Sequence, residues 1–485
     1  MKILLVSSEV YPFAKTGGLA DVAGALPKAL KKLGVEVRVV MPKYKGIEEK
    51  GFPIVYRDWR ISCPISQSTV TGEIVESSYD GITTYLVDKD EYYYRDHLYG
   101  TQDGDYLDNA ERFIFFSKAI LETIKVTGWV PDVVHCNDWQ TALVPVFLRT
   151  LYQDDPVFSR IASLLTIHNL GYQGLFWHLD WHLLNIGWEY FTPEHLEFYG
   201  KINFLKGAIV FADVINTVSK GYSEEIQTAA FGAGLDGALR SRAADLFGIV
   251  NGVDYDEWSP EKDPCLPKNF SVTSLQGKKA CKTSLQSAFG LPTTNEAPLI
   301  ASISRLADQK GFDLVVAAIE KMLALGVQYV LLGTGERKYH ELFTDLAHKY
   351  PEALAVKIAY DNDLAHLMEG GADMFLMPSR YEPCGLNQIY SLRYGTVPIV
   401  RGVGGLEDTI RDNPRDPSDS TGFKFYDYSP EALLAAVERA VQTYRNTEPW
   451  TAMVKRCMNA DFSWEKSATA YLSLYQRAIS KHGSR

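Results

Sequence analysis

Short apolar runs typical of β-strands alternate with amphipathic segments of helical period along the whole chain. In the first half the strand-like runs are KILLVSSEV, VEVRVVMP, DVVHCND, SLLTIHN and DVINTVS, with helical segments such as LADVAGALPKALKKLG between them. After GIVNGVD the alternation starts again with PLIASISRL, YVLLGTG, LAVKIAY, MFLMPSR and VPIVRGV. Because such alternation produces parallel sheets covered by helices on both faces, the pattern predicts an α/β protein with two doubly wound domains.

Length, charge and cysteine usage narrow the class of protein. The 485 residues exceed one ordinary domain, and the net charge of -11 argues against a surface for nucleic acid or an anionic membrane. The six cysteines show no CxxC and no Cys/His pair at ligand spacing, so the sequence predicts neither disulfides nor a metal site. Apolar runs such as FIFFSKAIL are interrupted by charge, which argues against a membrane span. A reducing cytoplasm is the expected location.

The loop KTGG follows the first predicted strand and precedes a predicted helix. Gly17 and Gly18 permit a tight turn and close approach by a ligand, and Lys15 adds a positive charge beside free N–H groups at the helix start. A glycine turn with a solvated lysine remains the alternative. The order of residues differs from a Walker loop, and the one GxGxxG match, GAGLDG, follows no strand-like run, so a dinucleotide site is not favoured.

Polar residues stand at the carboxyl ends of two further predicted strands of this half. His135, Asn137 and Asp138 end one of them, and His168 with Asn169 ends the next. Ligands of doubly wound sheets bind at this edge, which favours a functional role. Structural hydrogen bonding is the alternative for each histidine.

The second half offers two cations and a carboxylate after strand-like runs. Arg305 and Lys310 in SRLADQKG could both reach one phosphate-bearing ligand, with a solvated loop as the alternative. Gly335 in LLGTGE lies in another glycine turn. In EPCGLNQ, Glu382 precedes a predicted helix start; its alternative role is that of a capping or salt-bridged residue.

Taken in order, these motifs resemble those of bacterial glycogen synthases and plant starch synthases. KTGGLADV, HCNDWQT, TIHNLGYQG, GIVNGVD, SRLADQKG, EPCGLNQ and DFSWEKSATAY cover nearly the whole chain. The resemblance implies the GT-B architecture, with two Rossmann-like domains facing a deep interdomain cleft. It further implies an acceptor-side domain over 1–245, a nucleotide-sugar domain over 246–460 and a C-terminal helix, 461–485, that crosses back to the first domain.

The same resemblance implies a retaining glucosyltransferase that adds glucose to the non-reducing end of an α-1,4-glucan, with ADP-glucose as donor and without a cofactor or metal. Residues implied as catalytic are His168, Arg305, Lys310 and Glu382. Residues implied in donor binding are Lys15, Gly17, Gly18, Asp21, Asn251, Gly335, Cys384 and Gly385. Residues implied in positioning the acceptor or sugar are Asp138 and Tyr99.

Other functions stay open at this point. UDP-glucose is the alternative donor, and a glucan phosphorylase would share the architecture but need pyridoxal phosphate. A dinucleotide oxidoreductase would share the α/β pattern, and a non-catalytic glucan-binding protein would keep the aromatic residues of YYYRDHLY. Lys15, Arg305, Lys310 and Glu382 together favour catalysis. A plastid is the expected location if the chain comes from a plant.

Overall fold

The computed structural model describes residues 1–101 and 104–484, and the chain divides into two compact units. Unit 1 consists of Met1–Val218, Ser223–Gly252 and the segment from Trp464 onward. Unit 2 consists of Ser219–Tyr222 and Val253–Ser463. Each unit has its own parallel sheet covered by helices, so the predicted α/β class with two doubly wound domains is confirmed.

The strands follow the predicted order along the chain. They are β1 (Lys2–Val6), β2 (Glu36–Pro42), β3 (Val55–Ile65), β4 (Ser68–Tyr79), β5 (Ile82–Asp88), β6 (Gly100–Thr101), β7 (Gly104–Asp105), β8 (Val133–Asn137), β9 (Ala162–Ile167), β10 (Leu175–Trp177), β11 (Glu197–Phe198), β12 (Lys201–Asn203), β13 (Val214–Thr217), β14 (Leu246–Gly248), β15 (Leu299–Ile303), β16 (Gln328–Leu332), β17 (Leu354–Lys357), β18 (Met374–Met377), β19 (Val397–Arg401) and β20 (Phe423–Phe425).

The helices fill the intervals between these strands. They are α1 (Gly18–Lys32), α2 (Asp90–Tyr93), α3 (Asn109–Thr127), α4 (Leu143–Thr150), α5 (Phe204–Phe211), α6 (Lys220–Glu225), α7 (Asp236–Ser241), α8 (Gln276–Ala288), α9 (Phe312–Ala324), α10 (Arg337–Lys349), α11 (Asn362–Gly371), α12 (Asn387–Tyr394), α13 (Gly404–Thr409), α14 (Pro430–Tyr444), α15 (Thr447–Met458) and α16 (Trp464–Gly483).

Side chains at several helix starts explain where those helices begin. The Ser429 side chain accepts a hydrogen bond from the Ala432 N–H, and Pro430 occupies the first turn of α14, where its missing N–H costs nothing. Asp361 caps α11 in the same way through the Leu364 N–H. These two helices therefore begin where a capping residue precedes an amphipathic segment.

The main sheet of unit 1 has, within the described residues, nine strands in the order β14-β13-β9-β8-β1-β2-β5-β4-β3. The strands from β14 to β5 pair in parallel, and β5, β4 and β3 form an antiparallel extension. The chain leaves β1 toward β2 and later returns to the opposite side of β1 with β8. The topological switch point, where open α/β sheets bind ligands, thus lies between β1 and β8.

Unit 2 repeats this arrangement with a shorter sheet. Its six described strands are all parallel and lie in the order β17-β16-β15-β18-β19-β20. The chain moves from β15 to β16 and β17, and then returns to the other side of β15 with β18. The loops after β15 and β18 therefore meet at the switch point of this unit.

The last helix, α16, belongs to unit 1. Its Tyr475 hydroxyl lies 3.0 Å from His135 Nδ1, and its Tyr471 hydroxyl accepts a hydrogen bond of 3.1 Å from Asn216. The ring of Tyr471 is fully buried, as is that of Tyr475. Burial of two large aromatic side chains and pairing of their hydroxyls fix α16 on this unit.

Candidate active site

Glu9, which follows β1, accepts hydrogen bonds that hold the loop Lys15–Gly18 of unit 1. The Thr16 Oγ1 donates to Glu9 Oε1 at 2.6 Å, and the Gly17 N–H donates to Glu9 Oε2 at 3.2 Å. The Thr16 N–H also donates to Oε2, and Tyr99 donates to Oε1 at 2.7 Å. Glu9 is 4% exposed, so these donors replace water around its carboxylate. Glu9 therefore fixes the loop backbone at the switch point.

The space that a side chain at Gly17 would occupy is empty. Its φ of −156° is extended backbone that any residue adopts, and a Cβ built there meets no atom within 4 Å. Neither backbone strain nor packing therefore requires a glycine at this position. A bare backbone at the start of α1 leaves room for close approach by a ligand, as the sequence predicts.

Lys15 points toward the first turn of α1. Its ammonium lies 2.7 Å from Asp21 Oδ1, and both side chains keep partial contact with solvent. Burial raises the pKa of Asp21, although the ammonium of Lys15 opposes that rise. A partly exposed pair of this kind is weak, so Lys15 can exchange its partner for an incoming anion at little cost.

Asp138 follows β8 across the switch point from Glu9. Its Oδ1 accepts the His168 N–H at 2.7 Å, and its φ of 55° with ψ of −172° is a strained backbone conformation that residues other than glycine rarely adopt. Burial raises the pKa of Asp138 to about 7, against the opposing effect of the backbone N–H groups of His168 and Asn169. Asp138 is therefore a carboxyl group that titrates near neutral pH.

The ring of His168 follows β9 and is oriented by Asn137. His168 Nε2 lies 2.9 Å from Asn137 Oδ1, while the amide nitrogen of Asn137 donates to the Val6 carbonyl at 3.1 Å. With the amide oriented in this way, Nε2 carries the proton and Nδ1 is the acceptor. Burial lowers the pKa of His168 to about 3, so the imidazole is neutral near pH 7 and cannot serve there as a cationic acid.

The structure also describes the hydrogen bonding of three further residues of unit 1 that the sequence analysis named. His135 is fully buried between Tyr475 and Thr166, which is the structural role left open for it. Tyr99 contacts Ser8 and Glu9 through its hydroxyl, so it supports Glu9, and its contact with an acceptor stays a prediction. Within the described residues Asn251 Oδ1 is buried and has no hydrogen-bond partner.

In unit 2 the loops after β15 and β18 bring Lys310 and Glu382 together. Lys310 Nζ lies 2.6 Å from Glu382 Oε2, which also accepts the Ser379 hydroxyl at 2.9 Å. Glu382 is 5% exposed, and its backbone carbonyl accepts the Gly405 N–H at 3.0 Å. The ion pair is thus fixed at the switch point by the side chain and the backbone of Glu382.

Packing of the backbone fixes Lys310. The next residue, Gly311, has a φ of 73°, and a Cβ there would lie 2.0 Å from the Pro378 carbonyl oxygen. Only glycine fits this close approach of the β15 loop to the β18 loop.

Arg305 and Gly335 lie on neighbouring loops of unit 2. Arg305 is exposed, and its guanidinium lies 3.4 Å from Gln309 Oε1. Leu306 forms a parallel β-bridge with Gly335, where a Cβ would come within 2.3 Å of the Leu306 carbonyl oxygen. The Gly335 loop is thereby pinned beside the segment that carries Arg305.

Cys384 and Gly385 lie in the turn that leads into α12. Cys384 is buried, and Gly385 has a φ of 70° with Gln388 folded against it. The Gln388 side-chain amide donates to the carbonyls of Cys384 and Gly385 at 2.9 and 3.0 Å. These contacts shape the turn after Glu382, while donor binding by the two residues stays a prediction.

Sequence reasoning missed Glu9 and Ser379. Glu9 ends the run SSE directly after a buried strand, and Ser379 follows β18 in the same way. A polar residue directly after a buried parallel strand is the signal that could have identified both.

Comparison with known proteins gives a family match for each half of the chain. Residues 2–241 match the family described as starch synthase catalytic domain, and residues 286–453 match glycosyl transferases group 1. A glycogen synthase of Koribacter versatilis is 49% identical over 479 residues, covering 99% of this chain and 98% of its own. One from Syntrophotalea carbinolica is 46% identical over 482 residues, covering 99% and 100%.

A solved structure extends the comparison to the fold. The catalytic domain of starch synthase IV from Arabidopsis thaliana, bound to ADP and acarbose, aligns with a TM-score of 0.91 and 32% identity over 99% of both chains. Among the described residues, every helix is too short or too polar to cross a bilayer.

Proposed function

The chain belongs to the glycogen and starch synthase family of glycosyltransferases, and we propose that it transfers glucose from ADP-glucose to the non-reducing end of an α-1,4-glucan with retention of configuration. The observation that carries the proposal is the Lys310–Glu382 pair at the switch point of unit 2. It holds a cation and a carboxylate in fixed positions where a diphosphate leaves and positive charge develops on glucose. Such preorganised charge is the largest source of rate enhancement in many enzymes.

ADP-glucose is supported by the Arabidopsis structure, which contains ADP and acarbose. Lys310 supplies a compact ammonium and Arg305 a planar guanidinium fork, the two kinds of cation that bind phosphate oxygens well. The N–H groups at the start of α12 add partial positive charge a few residues after Glu382. In this proposal the three together stabilise the departing diphosphate.

The geometry around Glu382 favours attack by the acceptor on the face from which the diphosphate departs. Its Oε2 already accepts hydrogen bonds from Lys310 and Ser379, which lowers the electron density available for nucleophilic attack. In the proposed step the bond from C1 to the phosphate oxygen breaks, with its electron pair going to the phosphate. The acceptor hydroxyl forms the new C1–O bond and passes its proton to that phosphate oxygen. Glu382 stabilises the positive charge on the sugar.

Unit 1 is assigned the glucosyl and acceptor contacts. Lys15 and Asp21, with the open backbone of Gly17 and Gly18, are proposed to bind the donor. Asp138 and Tyr99 are proposed to position the acceptor or the sugar, and Asn251 to help orient the sugar. His168 then acts as a neutral hydrogen-bonding group, because burial lowers the pKa of its ring to about 3.

Turnover with ADP-glucose and with UDP-glucose on a linear malto-oligosaccharide primer tests the donor. We expect ADP-glucose to give the larger kcat/KM, with incorporated glucose in α-1,4 linkage by NMR. Preference for UDP-glucose would overturn the donor assignment. Requirement for pyridoxal phosphate would indicate a phosphorylase.

Glu382→Gln tests the role of the carboxylate. We expect kcat to fall by roughly 10² or more, because the glutamine supplies no charge for the glucosyl cation. Glu407→Gln is the matched control, since Glu407 also pairs with a lysine of unit 2, Lys424, at 2.9 Å. Near-normal turnover of Glu382→Gln would overturn the assignment, and a trapped glucosyl ester on Glu382 would establish double displacement instead.

A further inference from the structure

Unit 2 contains a mixed cluster of metal-ligating side chains that forms no part of the proposed active site. Asp263, Cys265 and His366 place one ligand atom each within 4.8 Å of one another. Next to them, Asp363 Oδ1 accepts a hydrogen bond of 3.5 Å from the thiol of Cys265. We infer that Asp263, Cys265 and His366 form a three-ligand Zn²⁺ site with a fourth coordination position left open.

The cluster cannot be recognised from residue spacing, because its two halves are far apart along the chain. Asp263 and Cys265 lie two residues apart in the segment before α8. Asp363 and His366 stand three residues apart in α11, a spacing that places both side chains on the same face of a helix. The fold of unit 2 brings a DxC segment against a DxxH helix, so the spacing rule applied to the cysteines could not detect it.

The contacts within the cluster are those that a metal ion replaces. His366 Nδ1 lies 2.7 Å from Asp263 Oδ2, and the thiol of Cys265 points to Asp363 Oδ1. In each contact a proton lies on or beside a ligand atom, and metal binding releases such protons. Tetrahedral Zn²⁺ with bonds of about 2.0 to 2.3 Å separates its ligand atoms by about 3.3 to 3.8 Å. Side-chain shifts of about 1 Å therefore convert the cluster into a coordination shell.

Groups around the cluster fix the proposed ligands. Trp258 stacks on the ring of His366 with centroids 3.8 Å apart and an interplanar angle of 9°. The Tyr394 hydroxyl donates to Asp263 Oδ2, and the Cys265 N–H donates to Asp263 Oδ1 at 2.9 Å. Outer contacts of this kind orient ligands and raise metal affinity.

The choice of ligands selects the metal. One thiolate, one imidazole and one carboxylate suit Zn²⁺, whereas Ca²⁺ and Mg²⁺ prefer sites made of oxygen atoms. Asp263 and His366 are buried, and Cys265 is the only one of the six cysteines that is not. The site thus lets an ion enter from the side of Cys265 and fastens the segment before α8 to α11.

Titration of the chelator-treated full-length protein with Co²⁺ tests the site. We expect one equivalent to produce a thiolate-to-cobalt charge-transfer band and the intense visible bands of tetrahedral cobalt, both lost on adding Zn²⁺. Cys265→Ser should abolish the charge-transfer band, and His366→Gln should weaken binding at least tenfold. Asp256→Asn, a carboxylate of the same unit that pairs with Lys262, should leave the titration unchanged.

A stability measurement gives a second readout. Zn²⁺ should raise the Tm of the wild-type protein and leave that of Cys265→Ser unchanged, because a ligand that binds only the folded state stabilises it. Circular dichroism and turnover verify that Cys265→Ser is folded. A cobalt spectrum without a charge-transfer band, or a band that persists in Cys265→Ser, would overturn the inference.

Discussion

The two units place a carboxylate at corresponding positions but give it different partners. Asp138 follows β8 and Glu382 follows β18, each across a switch point from a lysine-bearing loop. In unit 2 the lysine of that loop, Lys310, pairs directly with Glu382. In unit 1 Asp138 is held by backbone N–H groups, so burial acts on it without a compensating cation and raises its pKa to about 7.

The glycine near each lysine, Gly311 after Lys310 and Gly17 after Lys15, also differs in how closely it is packed. Gly311 is required by the packing of its own unit, whereas Gly17 faces open space. Unit 2 thus builds a rigid, charge-paired site before any ligand arrives. Unit 1 has an open backbone at Gly17, whose N–H donates a hydrogen bond to Glu9. The comparison teaches that similar topology supports preorganised charge in one unit and close backbone approach in the other.

Removing the cation of unit 2 gives the largest expected effect. Lys310→Met should lower kcat by roughly 10² to 10³, because it deletes a positive charge positioned for the leaving diphosphate. Steady-state turnover with saturating donor and primer measures the loss. Lys349→Met is the control, since Lys349 makes an exposed pair with Glu320 on the surface of the same unit. Turnover of Lys310→Met within about threefold of wild type would contradict the assigned role.

Gly311→Ala probes the rigidity of unit 2. The added Cβ would clash with the Pro378 carbonyl oxygen, and the backbone at this position is left-handed. We expect the clash to lower the free energy of unfolding by about 2 kcal/mol, in addition to the cost of placing alanine in a left-handed backbone. Gly326→Ala supplies that reference, because Gly326 has a φ of 79° and its Cβ position is open. Urea unfolding of both variants measures the difference. Equal losses would show that the loop relaxes and that Gly311 does not fix Lys310.

The sequence predicted the fold because strand and helix periods alternate along nearly the whole chain. It also predicted that Lys15, Asp138, Lys310 and Glu382 lie in segments that follow strands, and the structure has them there. It could not predict that Lys310 pairs with Glu382, because the strand order that brings the loops after β15 and β18 together is set by tertiary packing. The position of Glu9 after a strand was visible in the sequence, but its contact with the distant Tyr99 was not.

Gly17→Ala sharpens the contrast between the two loops. The methyl group meets no protein atom, so the free energy of unfolding should change by no more than about 1 kcal/mol, the usual effect at a helix N-cap. If the donor lies against this backbone, the KM for the donor should rise roughly tenfold, as expected for one extra methyl group in a fitted site. Gly237→Ala near the start of α7 is the control, because its Cβ position is also uncrowded. An unchanged KM would show that no ligand approaches Gly17 closely.

Asp138→Asn tests how unit 1 holds its carboxyl group, with the smallest expected effect. The folded protein keeps the Asp138 proton up to about pH 7, whereas an unfolded chain loses it near 3.8. Because the folded state binds this proton and the unfolded state does not, the free energy of unfolding falls as the pH rises toward 7. The fall is about 1 kcal/mol between about pH 6 and about pH 7. Asparagine has nearly the same shape as aspartic acid and does not titrate, so the variant should lack this part of the slope. Urea unfolding at the two pH values measures the slope, and equal slopes in both proteins would mean that Asp138 is ionised throughout and compensated by its N–H donors alone.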